Sequence, residues 1–453
     1  MLGLNDKLKK LSLEGKDIKV AIVGIGQMGG SLAAQIKALT GIRAVAIFNR
    51  NINNAARRLM DIGYKRSEIF LLESSIKADD DIPATNVYSV SKGTRSIEDV
   101  VSDALLKGQV VVGDNIDLIS KISQIELVVD ATGSPEAGAI IAIKTLNSKK
   151  HLVTLNVETD VTVGPLLKGI AARNGVVYTV SAGDEPAALK ELYDFADATG
   201  LDVVAAGKGK NNPLDREANP QTLAEYSAKK GSSARMMTSF VDGSKSMFEM
   251  ACVSNATGLV PDVRGMHGPR VNVKELKEVF SLKKDGGILD KKGVVDFAIG
   301  DVAPGVFLVY TSSLKVIREE LKYLLFGDGP NYLLYRPYHL TSIETPLSIA
   351  RAYFYGEPTI VPDKGLVSEV ITYAKKDLVS GQAIDSIGGF CIYGMIELHD
   401  IAKRENLLPI SLSEGAILKR DIKKNKPITF DDVDIPDDSL IYDLRKKQDS
   451  INQ

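Results

Sequence analysis

Two lysines alternate with glycines in Gly207-Lys208-Gly209-Lys210-Asn211-Asn212-Pro213. At a strand end this spacing lets backbone amides and two ammonium groups approach an anion or a developing oxyanion together; a basic turn is the plainer alternative. The segment lacks the GxxxxGKS/T spacing of a nucleoside triphosphate loop. Further on, Asp242-Gly-Ser-Lys245 leads into Glu249, one helical turn after Lys245. An exposed ion pair would explain that spacing. The apolar neighbours Met247, Met250, Ala251 and Val253 argue instead for a buried helix, in which a charge needs a partner or a purpose. Asn156, Glu158 and Asp160 follow an apolar run at alternate positions, and an extended backbone would set them on one face. Such a trio binds a divalent cation or orients substrate hydroxyls; helix capping by Asp160 with a solvated Glu158 is the alternative. Asp184-Glu185-Pro186 reads either as crevice carboxylates or as the acidic start of a helix over Ala187–Ala196. Arg336, Tyr338, His339 and Glu344 are possible additions, although a lone histidine is more often structural.

These groups need a scaffold, and its clearest signature is Val20-Ala-Ile-Val-Gly24-Ile-Gly26-Gln27-Met28-Gly29-Gly30. A β-type run (Ile18 to Val23) enters this glycine loop, a helix-like stretch (Ser31 to Leu39) leaves it, and a second strand (Ala44 to Asn49) follows. That succession holds a dinucleotide pyrophosphate: Gly24 for the turn, Gly26 for close approach, Gly29 for helix packing, and the helix amides for the phosphates. Where an acidic residue would favour NAD, the chain has Asn49-Arg50-Asn51, with Arg57 and Arg58 beyond, so NADP(H) is predicted. Asp130-Ala131-Thr132-Gly133 ends another strand with small residues that admit a nicotinamide ribose.

Strand-like runs at Ile18–Val23, Ala44–Asn49, Val110–Val112, Leu127–Val129, Leu152–Leu155, Val176–Val180 and Val203–Ala205 alternate with helical segments, which predicts a parallel sheet covered on both faces. The stretch Tyr64 to Ser102, with Ala78–Pro83 and Ser91–Arg95, reads as an insertion with lid behaviour. Val294–Ile299 and Val306–Thr311 read as antiparallel strands joined by a turn, with helices over Asn272–Leu282, Leu314–Leu324 and Leu366–Asp377. The fold class is therefore α/β, with an N-terminal segment (1–16), a Rossmann-type doubly wound dinucleotide-binding domain (17–200), an α+β substrate and oligomerisation domain (201–404), and a small β-rich module and tail (405–453).

Composition narrows the function classes. With 453 residues, 44% hydrophobic and 25% charged, and a net charge of −2, the chain is an ordinary globular protein without the basic stripe a nucleic-acid partner requires. Cys252 and Cys391 lie far apart in apolar sequence, as free thiols in a reducing compartment do. No apolar run of about eighteen residues and no signal-peptide succession is present, so a cytoplasmic protein without a membrane partner is expected.

Taken together, the glycine loop, Asp130–Gly133, Asn156–Asp160, Gly183–Pro186, Gly207–Pro213 and Asp242–Lys245 resemble the homoserine dehydrogenase-like oxidoreductases that carry a C-terminal SAF domain, and Leu418 to Thr429 is similar to that SAF module. One branch of the family comprises 1-deoxy-D-xylulose 5-phosphate reductoisomerase-like enzymes of isoprenoid precursor synthesis. For that branch the resemblance implies conversion of the phosphoketose to 2-C-methyl-D-erythritol 4-phosphate, with hydride from NADPH and Mg²⁺ or Mn²⁺ gripping vicinal oxygens. Glu158, Asp160 and Glu185 would be the metal ligands. Lys208, Lys210 and Lys245 would bind a phosphorylated or anionic substrate or stabilise an alkoxide, with Asn156 and Glu249 completing the catalytic set. A homo-oligomer is the family-level expectation. The alternatives are a metal-independent dehydrogenase of a small polyol, sugar acid or amino-acid semialdehyde, and a nucleotide-sensing protein without chemistry.

Overall fold

The computed structural model describes residues 3–73, 87–89 and 95–451. Two compact units divide the chain: Met1–Thr159 with Leu166–Asp184 and Leu340–Val361, and Asp160–Pro165 with Glu185–His339 and Pro362–Gln453.

The first unit is built on eight strands: β1 (Ile18–Val23), β2 (Ile42–Phe48), β3 (Ile69–Glu73), β4 (Val87–Ser89), β5 (Val110–Gly113), β6 (Leu127–Asp130), β7 (His151–Thr154) and β8 (Tyr178–Val180). They form one parallel sheet in the order β4-β3-β5-β2-β1-β6-β7-β8. Parallel strands are covered on both faces, which is why β1, β2, β5 and β6 read as nearly unbroken apolar runs. Strand order reverses at β1, with β2 on one side and β6 on the other, so the carboxyl ends of β1 and β6 flank the crevice where such sheets take ligands. Ile349 and Ala352 of the helix Thr341–Tyr355 join the core of Ile18, Val20 and Leu32, a return from late in the chain. Part of the expected insertion supplies β3 and β4. Ala78–Pro83 and residues 91–94, to which lid behaviour is assigned, lie outside the described residues.

The second unit carries a mixed sheet of β9 (Asp202–Lys210), β10 (Val260–Pro261), β11 (Val294–Ile299), β12 (Val306–Thr311) and β13 (Asn331–Arg336), in the order β10-β11-β9-β12-β13. Val203–Ala205 therefore belongs at the centre of this sheet and not to the parallel one. Its strand runs between β11 and β12, so those two are not neighbours joined by a turn: β11 pairs parallel and β12 antiparallel with β9. The helices Glu185–Ala198 and Ser244–Thr257 cover one face. Leu276, Phe280 and Leu289 pack on the other with Phe307 and Val309.

Leu366–Asp377, expected as a helix, is the strand β14 (Ser368–Ala374), because β15 (Ile392–Leu398) offers it a complete antiparallel ladder. Only Leu276–Val279 of the expected helix Asn272–Leu282 is α-helical, after a 3-10 turn. The small C-terminal β module, with β16 (Ile417–Leu418) and β17 (Val433–Asp434), is bridged to residues 371–383 at Ile371–Pro409, Tyr373–Pro427 and Ala383–Ile417. The last helix, Leu440–Ile451, is tied to β14 by a bidentate Arg445–Glu369 pair at 2.8 and 2.9 Å.

Candidate functional site

In the first unit the glycine loop has the form its sequence predicts. Gly24 adopts a left-handed φ of 90°, and a Cβ on Gly29 would lie 1.9 Å from the Gly24 carbonyl oxygen, so helix and loop close only with glycine there. A Cβ on Gly26 would meet nothing within 4 Å; this residue and Gln27 are exposed, Met28 is half-buried, and no side chain caps the helix Gln27–Ala38. The cradle is open where a pyrophosphate would approach and tight everywhere else.

Asp130 at the end of β6 is buried and accepts from the Thr132 amide at 2.9 Å, the Thr132 hydroxyl at 2.6 Å and the Thr154 hydroxyl at 3.1 Å. Burial pushes its carboxyl up to about 6 against those three bonds. Asn156 is fully buried: its amide group donates to the Ser134 carbonyl at 2.8 Å and its oxygen accepts from the Thr159 amide at 3.1 Å. It fixes the Thr132–Gly133 loop as a positioning residue, with its polar atoms committed to the backbone. Asn49 donates to the Asn51 carbonyl, and Arg50 is exposed at the end of β2. Arg58 reaches back over the loop helix, its guanidinium 3.7 Å from the Cβ position of Gly30.

In the second unit, β9 carries the Gly-Lys-Gly-Lys segment as a strand. Period two sends Gly207 and Gly209 to one face and Lys208 and Lys210 to the other. A Cβ on Gly207 would lie 2.5 Å from the Phe307 ring, and one on Gly209 would lie 2.3 Å from the Ala303 nitrogen. The glycines therefore serve close packing, and their backbone is engaged in the sheet, as in the Gly209 amide donating to the Gly305 carbonyl at 2.8 Å. An anion cradle of backbone amides, the expectation from sequence, is not what they form.

On the opposite face the lysines meet carboxylates. Lys208 Nζ donates to Glu185 Oε1 at 2.5 Å and to Glu249 Oε2, and all three side chains are nearly inaccessible. His339 Nε2 lies 3.4 Å from Glu185 Oε1. Glu249 can be buried because its helix is apolar or small on every side and Lys208 supplies the counter-charge. Burial and the nearby Glu185 raise its carboxyl, while Lys208 and Lys245 oppose them; the half-buried Lys245 acts here through its charge. Burial disfavours the Lys208 ammonium, but the two glutamates outweigh it and hold the lysine firmly charged. Lys210 donates to the Phe240 carbonyl, and burial, reinforced by Lys208, lowers it to about 8. One fixed ammonium thus stands beside an amine able to exchange its proton near neutral pH.

Residues 183–345, which include Glu185, Lys208, Lys210, Lys245, Glu249 and His339, match the family described as "Oxidoreductase DRL, catalytic domain". The protein is an oxidoreductase. No curated protein matches the chain. Solved structures similar to it include a probable dehydrogenase from Thermotoga maritima (11% identity, 77% of this chain and 92% of that one, TM-score 0.42). The putative oxidoreductase yvaA from Bacillus subtilis is another (13%, 78% and 93%, TM-score 0.36). So is a biliverdin reductase from Synechocystis sp. PCC 6803 in complex with biliverdin and NADP+ (16%, 45% and 52%, TM-score 0.27). The match spans Gly183–Pro186, Gly207–Pro213 and Asp242–Lys245, three of the motifs that carry the resemblance.

Several expected site residues of the oxidoreductase stand elsewhere than the sequence suggests. Glu158 and Asp160 are in the first turn of the helix Val157–Asn174, capped by Asn156, where two residues of separation turn side chains by about 200°. Glu158 therefore points away from both, and only Asp160, four residues on, falls on the side of Asn156. Glu185 does not offer Oε1 unshared to a cation, because Lys208 donates to it. Nor does Lys208 bring an unspent charge to a substrate phosphate. Glu344 accepts the Leu340 amide at 3.0 Å within the first unit, a local cap. Arg336 pairs with Glu191 at 3.1 Å. The contacts that sequence reasoning missed are those of Lys208 with Glu185 and Glu249 and the seat of Lys375, buried on Asp242 at 3.0 Å at the start of the Glu249 helix. Only the alternation of lysine with glycine hinted at the first.

Proposed function

We propose that the enzyme is an NADP(H)-dependent, metal-independent dehydrogenase that interconverts a carbonyl and an alcohol on a small polar substrate. The observation that carries this reading is Lys208 held between Glu185 and Glu249, with Lys210 one pleat along the same face and poised near pH 8. An ammonium has three N–H groups; two go to the glutamates, and the third donates to the substrate oxygen, polarising a carbonyl. Lys210 gives that oxygen a proton in reduction and takes one in oxidation. When bound, the nicotinamide supplies or accepts the hydride. Gly24, Gly26 and Gly29 would hold its pyrophosphate, and Arg50 and Arg58 would receive the 2′-phosphate. With its charge matched by two carboxylates, the ammonium offers an oriented hydrogen bond rather than net positive charge, which suits a neutral hydroxyl or carbonyl better than a phosphate. Buried free thiols at Cys252 and Cys391 suit a cytoplasmic enzyme, and among the described residues no helix is long and apolar enough to cross a membrane.

The reductoisomerase reading keeps the same cofactor and lysines and adds a cation. It is supported by the motif resemblance, and the match of residues 183–345 falls on many of the same residues. One assay separates the two: NADPH oxidation with a panel of small aldehydes, ketoses and sugar acids beside 1-deoxy-D-xylulose 5-phosphate, with Mn²⁺, Mg²⁺ or a chelator. Turnover that a chelator leaves unchanged supports the dehydrogenase. Turnover of the phosphoketose that needs the cation replaces it with the reductoisomerase. Tight NADPH binding with no turnover of any substrate would return the chain to a sensing role.

A further inference from the structure

Arg216 follows β9, and the half-buried seat of its guanidinium spends only one of the three nitrogens. Nη1 donates to the Asp242 carbonyl at 2.8 Å and to the Gly394 carbonyl at 3.4 Å. The Tyr393 ring lies against the group, its centroid 5.1 Å from Cζ. A Cβ on Gly243, which has a φ of 86°, would lie 3.1 Å from Nη1, so glycine there leaves the guanidinium its room. Nε and Nη2, the edge whose parallel N–H groups fit two oxygens in a plane, meet no acceptor among the described residues. The charge is unmatched as well. Arg264 and Arg445 of the same unit each pair with two carboxylates. Arg216 pairs with none among the described residues, since Asp242 gives its carboxylate to Lys375 at 3.0 Å and to the Ser244 amide at 2.9 Å. Burial disfavours the Arg216 charge more than Asp242 supports it.

We propose that Arg216 is a substrate anchor whose Nε–Nη2 edge binds a carboxylate, so that the enzyme acts on a small hydroxy acid and its oxo counterpart. The inference rests on the dehydrogenase reading of Lys208 and Lys210 and adds which substrates those lysines meet. Arg216 stands beside them: Lys210 donates to the Phe240 carbonyl and Arg216 to the Asp242 carbonyl at the same helix end, and the charge of Arg216 helps to lower the Lys210 amine. A single anchor at this distance from the proton-transferring amine fixes a small acid by one end and leaves its hydroxyl or carbonyl for the lysines. A carboxylate matches the free edge in charge, planarity and number of oxygens. A phosphate dianion carries twice the charge and a third oxygen, and the Gly209 amide that could have served it is engaged with the Gly305 carbonyl.

Calorimetric titration of the full chain with NADPH present tests this, using glycolate and D-glycerate beside ethylene glycol, glycerol and glycerol 3-phosphate. Each acid should bind at least tenfold more tightly than its matched alcohol, and D-glycerate more tightly than the phosphate ester. Arg216→Lys keeps the charge but loses the fork and should lower acid affinity about tenfold; Arg216→Gln should lower it about a hundredfold. Should Arg216→Gln fail to fold, Arg216→Lys, which can still reach the carbonyls of Asp242 and Gly394, decides the matter. Acids that bind no better than the alcohols overturn the proposal, and so do acid binding indifferent to Arg216 or a phosphate ester held more tightly than the acids through Arg216. Because the readout is binding, the two readings fail separately: acids held through Arg216, with no NADP+-dependent oxidation of any hydroxy acid, would overturn the dehydrogenase and keep the anchor.

Discussion

Lys210 is the residue on which the proposed proton transfer turns. Its amine is lowered to about 8 by burial and by Lys208, so it changes protonation within the working range of an enzyme. If it donates the proton in reduction, the rate of carbonyl reduction falls as pH rises through about 8, and alcohol oxidation rises over the same interval. Lys210→Met should remove both limbs and lower kcat by about a hundredfold, with the NADPH dissociation constant unchanged, as read by pH–rate profiles and fluorescence titration. Lys208 is a different case. Lys208→Met leaves two buried carboxylates facing each other and should cost about 3 kcal/mol in urea unfolding, whereas Lys208→Met/Glu185→Gln/Glu249→Gln should recover much of it. The lysines are conspicuous in the sequence, but their partners lie 23 and 41 positions away, and no local pattern names them. Asn156 shows the converse: a polar residue prominent in the sequence whose atoms serve the backbone.

At the scale of elements, the same residue type serves opposite ends. Gly26 borders open space and has a φ of −66°, which alanine tolerates; Gly209 is pressed against the Val302–Ala303 backbone. Gly26→Ala should fold with unchanged thermal stability and bind NADPH more than tenfold more weakly, because the methyl occupies the phosphate's approach. Gly209→Ala should lose several degrees of melting temperature or fail to accumulate, since backbone atoms 2.3 Å away cannot yield cheaply. Scanning calorimetry with a nucleotide titration distinguishes them. The strand-loop-helix element around Gly26 is legible because its conformation is local. Leu366–Asp377 is not: its apolar spacing suits a helix, and the strand forms because Ile392–Leu398 satisfies its backbone.

For the whole molecule, the last helix depends on a charge pair that acid can break. Glu369 accepts both Arg445 bonds and contacts His399; burial would raise its carboxyl, but Arg445 and His399 overcome this and lower it to about 2. A carboxylate depressed in the folded state stabilises above its unfolded value of 4.5, and this contribution is lost as pH falls toward about 2. Wild-type stability should therefore decline more steeply on acidification than that of Arg445→Met. At neutral pH the variant should show faster hydrogen exchange across Leu440–Ile451; equal exchange would mean that the pair does not hold the helix.

What the sequence determined by itself is whatever short-range geometry dictates: the parallel α/β class, the glycine loop with its dinucleotide shape, and the helix starts, each set within a few residues by sterics and periodicity. Only the tertiary structure decided which charges meet, that β9 stands between β11 and β12, and that Glu158 and Asp160 diverge around a helix. Those outcomes depend on burial and on pairing between segments far apart in the chain. A buried ammonium finds its carboxylates by the energetic cost of being without them, and that cost exists only once the core has closed.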